Sequence, residues 1–227
     1  MTERPELTEQ EQRQALLETA LAMNSQGLNQ GSSGNLSLRL RDGMLITPSA
    51  LPYHRCRPED MVLVNWGGPV EGNRQPSSEW RMHHDIYLAY QEAHCILHAH
   101  APWCSTLACL ERGIPGQHYM VALAGGEDIR CTAYAPFGTQ ALSDTAVAGL
   151  QGRTAVLLGH HGLLCYADNL DQVLSLACEV EFLARVYVQS LQITSEPPLL
   201  APEAIHSLLD RFSAYKRLGG TVDTQHK

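Results

Sequence analysis

Two pairs of histidines stand at the ends of apolar runs in this 227-residue chain. In HCILHAHAPW, His98 and His100 are one residue apart. In a strand, positions i and i+2 share a face, so these imidazoles would project side by side from backbone positions about 7 Å apart. They could then converge on one cation, each at about 2.0–2.1 Å. In TAVLLGHHGLL, His160 and His161 lie between Gly159 and Gly162, and such glycines let a chain turn tightly and approach a ligand closely. Three neutral imidazoles with one open position are the protein's share of a catalytic zinc site. Spacing alone leaves open which of His160 and His161 is the third. Eleven histidines against three phenylalanines point to the same metal or acid–base chemistry.

A hydrated metal site needs a group that moves protons, and Glu79 is the candidate. In PSSEWRMHHDIYLAYQE it follows Ser78, the expected N-cap of a helix, where the helix dipole favours a carboxylate. The hydroxyls of Ser77 and Ser78, with the free N–H groups of a helix start, make an anion site. Gly31, Ser32, Ser33 and Gly34 read either as a turn before a hairpin or as a backbone nest for an anion.

The elements that must position these residues follow from periodicity. Thr8 and Glu11 have capping-box spacing ahead of Leu16, Leu17, Ala20 and Leu21, and Gly27 stops that first helix. LSLRL, a DG turn and MLIT predict a hairpin over about 35–47, and MVLVNW a further strand. CILHAH is a short strand, and Pro102 opens the next helix. TAVLL runs as a strand into a turn at 159–162, and two amphipathic helices close the chain, beginning at NLDQV and APEAI. Alternating strands and helices with hairpin signals predict an α/β fold with a mixed sheet covered by helices on both faces. No repeat or linker divides it, so one domain over residues 1–227 is expected, with its core at about 7–218.

Composition narrows the partners. A net charge of −8 argues against nucleic acid and anionic membranes, which need a basic surface. The start MTERPELTEQ lacks a secretory pattern and no run of 18 apolar residues occurs, so a cytoplasmic protein is expected. The seven cysteines include no CxxC pair and read as reduced core residues.

Seven short motifs in order, GNLS (34–37), TPSA (47–50), PSSEW (76–80), HAH (98–100), HYM (118–120), PFGT (136–139) and GHHG (159–162), resemble the class II aldolase and adducin family. Within it, GLNQG, DGMLITP, AGGEDI and HHGL look most like the bacterial L-fuculose-1-phosphate aldolases. The resemblance implies a three-layer α/β/α domain with a mostly antiparallel sheet, in a homotetramer with active sites between subunits. It implies one zinc ion per subunit, held by His98, His100 and His161, with Glu79 as an occasional ligand and the acid–base group. It also implies a phosphate site at Gly34, Asn35, Ser49, Ala50, Ser77 and Ser78, and an aldehyde end formed by Tyr119, Tyr215 and Phe137. The family commonly reads Thr-Gly where this chain has Ser49-Ala50.

The implied activity is reversible retro-aldol cleavage of a 1-phosphoketose, resembling L-fuculose 1-phosphate, to dihydroxyacetone phosphate and a short aldehyde such as lactaldehyde. A 5-deoxypentulose phosphate is the close variant. Metal polarisation of the carbonyl removes the need for a Schiff-base lysine. The only lysines are Lys216 and Lys227, far from every motif in sequence. A pentulose-5-phosphate 4-epimerase shares the zinc site but would carry an acid after His118, where this chain reads YMVALA. A non-catalytic scaffold like adducin could lose metal ligands, yet all are kept.

Overall fold

The computed structural model describes residues 7–69 and 74–218, with residues 69, 210 and 213–218 by backbone alone. Helix α1 (Glu9–Ser25) starts at the expected capping box, with the Thr8 side chain accepting from the Glu11 N–H and the Glu11 carboxylate accepting from the Thr8 N–H at 2.8 Å. The hairpin is β1 (Asn35–Arg39) and β2 (Gly43–Ile46), in register Leu38 to Leu45. Next come β3 (Val62–Asn65), β4 (Gly68–Pro69) and α2 (Trp80–Ala89). After them follow β5 (Cys95–Ala99), α3 (Pro102–Cys109), α4 (Gln140–Gly149), β6 (Ala155–Leu158) and β7 (Gly162–Ala167). Helices α5 (Leu170–Ile193) and α6 (Pro202–Leu218) end the described chain.

The strands form one sheet in the order β4-β3-β2-β1-β5-β7-β6. Every pairing between these strands is antiparallel, and among the described residues a parallel component enters only at the isolated bridge from Cys131 to Leu157. Alternation along β5 divides the core, as a two-residue period requires. Cys95, Leu97 and Ala99 face one apolar layer with residues of α1, α3 and α5, while Ile96 faces the other with residues of α2 and α4. In α5 the buried positions Val173, Leu176, Ala177, Val180, Leu183, Ala184 and Tyr187 keep the three- and four-residue spacing of one helix face. Each such large apolar side chain, fully buried, contributes about 1.5–3 kcal/mol. The three-layer α/β/α expectation holds.

Three elements escape the periodicity argument. β7 is buried along Gly162–Tyr166 and so shows no polar alternation. Helix α4 is Ala-rich, although Thr139 caps it by accepting from the Leu142 N–H. Residues Tyr119–Ala124, between α3 and α4, form a 3-10 helix. All seven cysteines are free thiols. No helix among the described residues is long and apolar enough to cross a membrane.

Candidate active site

β5 runs between β1 and β7, and this sets the site. His98 lies opposite Asn35 of β1 and opposite Leu164 of β7, and His100 follows just beyond the strand. Gly34 (φ 75°) and Gly162 press their backbones onto the carbonyls of His98 and Ala99, where any side chain would collide. Those contacts explain the glycines of GNLS and HHGL, since only a residue without Cβ allows such an approach. The β6–β7 turn therefore carries His161 onto the end of β5.

The three side chains meet. Ring centroids are 5.1 Å apart for His98 and His100, 4.6 Å for His98 and His161, and 5.0 Å for His100 and His161. One ligand nitrogen from each lies within 4.8 Å of the others. The geometry also separates the two histidines of the turn: His161 joins the cluster, whereas His160, at φ 54°, turns outward beside Tyr134.

Glu79 reaches the cluster from α2. Its Oε2 lies 3.4 Å from His98 Nε2 and its Oε1 lies 3.4 Å from His161 Nε2. The expected cap at Ser78 is not realised. Glu79 itself occupies the N-cap position, and its side chain makes no cap bond because it is turned into the histidines. Ser77 Oγ instead accepts the Glu79 N–H at 3.3 Å, which leaves the serine's own proton for another acceptor.

Electrostatics favour metal binding. His98 Nδ1 donates to the Leu163 carbonyl at 2.8 Å, which fixes the tautomer and turns the Nε2 lone pair toward the cluster. Burial pushes the His98 pKa down to about 4 in spite of the nearby Glu79, so the ring is neutral. For His100, too, burial lowers the pKa. Burial works to raise the Glu79 carboxyl, but His98, His161 and the Asn35 amide outweigh it, and the net shift is downward. His98 Nε2 and Glu79 Oε1 are buried without a hydrogen-bond partner. An unpaired buried acceptor is costly. Two of them at one cluster of three imidazoles make the donor set of a metal ion, and the residues fit one.

The cluster opens into a cleft of about 370 Å³ lined by Ser33, Gly34, Ser49, Ala50, Ser77, Ser78 and Glu79. His100, Tyr134, Phe137, His160 and His161 line its other side. Asn35 also lines it, but its amide is largely engaged inside the protein: Nδ2 donates to Glu79 Oε2 at 2.8 Å and Oδ1 faces His83 at 2.5 Å. Ala50 sits at φ 56°, where a side chain is strained and glycine is not. Among the described residues, no lysine or arginine lines the cleft.

Of the two tyrosines expected at the aldehyde end, one stands apart from the cleft. Tyr119 does not line the cleft. It begins the 3-10 helix, half exposed, and stacks on Phe212 of α6. The Tyr215 side chain lies outside the described residues. Sequence reasoning missed Tyr134, Asn29 and His83. Asn29 Oδ1 accepts from the His100 N–H at 3.3 Å. Only the spacing Glu79, His83 and Tyr87 on α2 signalled any of these, as one helix face.

The family model for the class II aldolase and adducin N-terminal domain matches residues 14–188. The chain belongs to the class II aldolase and adducin family. A 5-methylthioribulose-1-phosphate/5-deoxyribulose-1-phosphate aldolase of Rhodospirillum rubrum is 47% identical over 203 residues, covering 89% of this chain and 91% of that one. An L-fuculose phosphate aldolase of Escherichia coli K12 is 44% identical over 200 residues, covering 88% and 93%. A solved L-fuculose 1-phosphate aldolase superposes with a TM-score of 0.85 at 36% identity, covering 88% of this chain and 95% of that one. Class II aldolases are metal-dependent lyases, and this member of the family is such an enzyme.

Proposed function

We propose that the enzyme reversibly cleaves a 1-phosphorylated ketose to dihydroxyacetone phosphate and a short aldehyde, with zinc as its metal. The observation that carries this is the opening of a three-histidine cluster and a buried carboxylate into the same cleft as Ser49, Ser77 and Ser78. His98, His100 and His161 would hold the ion, with Glu79 within reach. Bound there, it supplies a Lewis acid for the ketose carbonyl.

The remaining chemistry belongs to the chain. Hydroxyls of Ser49, Ser77 and Ser78, with the start of α2, bind the phosphate without a cationic side chain. Cleavage breaks the C3–C4 bond as the C4 hydroxyl proton passes to the ionised Glu79 carboxylate; the electron pair stays on the three-carbon fragment. Glu79 then delivers a proton to C3, and takes it back in the synthetic direction. Gly34 and Asn35 border the phosphate end, and Ala50 narrows it by a methyl group. Phe137 and Tyr134 flank the aldehyde end. Tyr119 and Tyr215 are assigned to the aldehyde end of a neighbouring subunit in a homotetramer, which accounts for the distance of Tyr119 from its own chain's cleft. Seven free thiols agree with a cytoplasmic location.

Both substrate types named for the relatives are 1-phosphoketoses, and each would release dihydroxyacetone phosphate. The test is a panel of L-fuculose 1-phosphate, 5-deoxyribulose 1-phosphate and 5-methylthioribulose 1-phosphate, with the release followed by coupled reduction. At least one is expected to turn over, with loss on chelation and return on adding zinc. Absence of release from every member by the zinc-loaded protein overturns the proposal.

A further inference from the structure

From Glu79 a file of buried polar groups runs inward from the cleft, through Asn35 to His83, Ser37 and Tyr87, and the last three have no part in the proposed reaction. Glu79, His83 and Tyr87 recur every four residues along one face of α2, and that face packs on Asn35 and Ser37, which share one face of β1. Asn35 Nδ2 donates to Glu79 Oε2 at 2.8 Å. His83 Nε2 is 2.5 Å from Asn35 Oδ1, and His83 Nδ1 is 2.7 Å from Ser37 Oγ. Ser37 Oγ is in turn 2.8 Å from the Tyr87 hydroxyl. Ser37, His83 and Tyr87 are completely buried, and Asn35 is 3% exposed.

The direction of every bond in this file is fixed from one end. An ionised carboxylate only accepts, so Asn35 must turn its NH₂ toward Glu79 and its carbonyl toward His83. His83 must then donate from Nε2, and its Nδ1 must accept from the Ser37 hydroxyl. Ser37 Oγ is left to accept from Tyr87. Burial holds the imidazole neutral, with its pKa pushed down to about 3, as this single-tautomer arrangement requires. Reversing any member would set two acceptors or two donors face to face. The file leaves Glu79 Oε2 occupied and Oε1 without a partner, facing the histidines.

We propose that His83 is a positioning residue: by orienting the Asn35 amide it holds Glu79 so that Oε1 alone is presented for proton transfer. This rests on the proposed role of Glu79. In His83→Leu the imidazole donor is lost, and the Asn35 amide is free to rotate away from Glu79. In His83→Gln a side-chain NH₂ can still donate to Asn35 Oδ1. Such supporting partners of a site are typically worth about 10–100-fold in activity.

The experiment compares wild type, His83→Leu and His83→Gln, each zinc-loaded with metal content measured, by kcat, KM and crystal structure. His83→Leu is expected to lose about tenfold or more in kcat, with KM and zinc content little changed and the Asn35–Glu79 contact lengthened. His83→Gln is expected to recover most of kcat and the contact. If His83→Leu keeps the contact and its kcat, or if His83→Gln fails as fully as His83→Leu, the proposal is overturned. Should the leucine variant not fold, Ser37→Ala removes the donor that fixes the tautomer, and unchanged kcat there overturns the proposal equally. Should Glu79→Gln turn over normally, the role of Glu79 falls, while the contact distance still decides whether His83 orients that carboxylate.

Discussion

At the scale of single residues, Glu79 is pulled in two directions. Its backbone begins α2, where a carboxylate would ordinarily accept from the helix's own N–H groups; its side chain instead reaches Asn35 and the histidines. That exchange gives up a cap, typically worth about 1 kcal/mol, for an ionised carboxylate at the cluster. Glu79→Gln preserves shape and removes the transferable proton, so turnover should fall by roughly 10² or more. Metal analysis should still find zinc, because the three imidazoles remain. A variant with normal turnover removes Glu79 from the chemistry. Ala50 illustrates a cost of another kind: at φ 56° it carries a strain of about 1 kcal/mol that the more usual glycine avoids. Glu79, His98 and His100 were legible as candidates from their spacing, but His161 was separated from His160 only by resemblance and then by the turn geometry. His83 gave no signal by itself, because one histidine on a helix face reads as ordinary packing.

At the scale of elements, the site depends on how α3 leaves β5. Ala101 is the N-cap of α3 and has no side chain to cap with. Glu181 of α5 takes that part: its two oxygens accept from the N–H groups of Trp103 and Cys104, each at 2.9 Å. A residue from another helix thus holds the segment directly after His100. Glu181→Ala leaves two backbone donors without their acceptor at a helix start, and should destabilise the protein by about 1–3 kcal/mol. Urea denaturation reads this directly, and an unchanged midpoint would show that water replaces the carboxylate without cost. Such a cap is invisible in sequence, since donor and acceptor are nearly eighty positions apart. Local signals did disclose the hairpin and the capping box of α1, whereas β7, buried along most of its length, offered no period to read.

For the whole molecule, the buried imidazoles couple the site to folding. His83 and His98 have pKa values lowered from 6.5 to about 3 and about 4. Unfolded, both take up protons below about pH 6.5; folded, they do not until the lower values are reached. The unfolded state therefore binds more protons across that window, and stability falls as the pH drops through it. Urea midpoints of the metal-free protein should decline from pH 7 to pH 5, above the range where most carboxylates titrate, and His83→Gln should flatten the slope. A flat wild-type profile would contradict the burial of these rings. The sequence by itself determined the alternation of strands and helices, an acidic net charge of −8, and residue types suited to metal chemistry. All of these depend on spacing and composition within short windows. Only the tertiary structure decided that strands distant in the chain lie side by side, that His161 joins His98 and His100 while His160 turns away, and that Tyr119 stands apart from its own cleft. Those outcomes depend on which buried surfaces pack together, a property of the whole sheet and its helices that no short window of sequence contains.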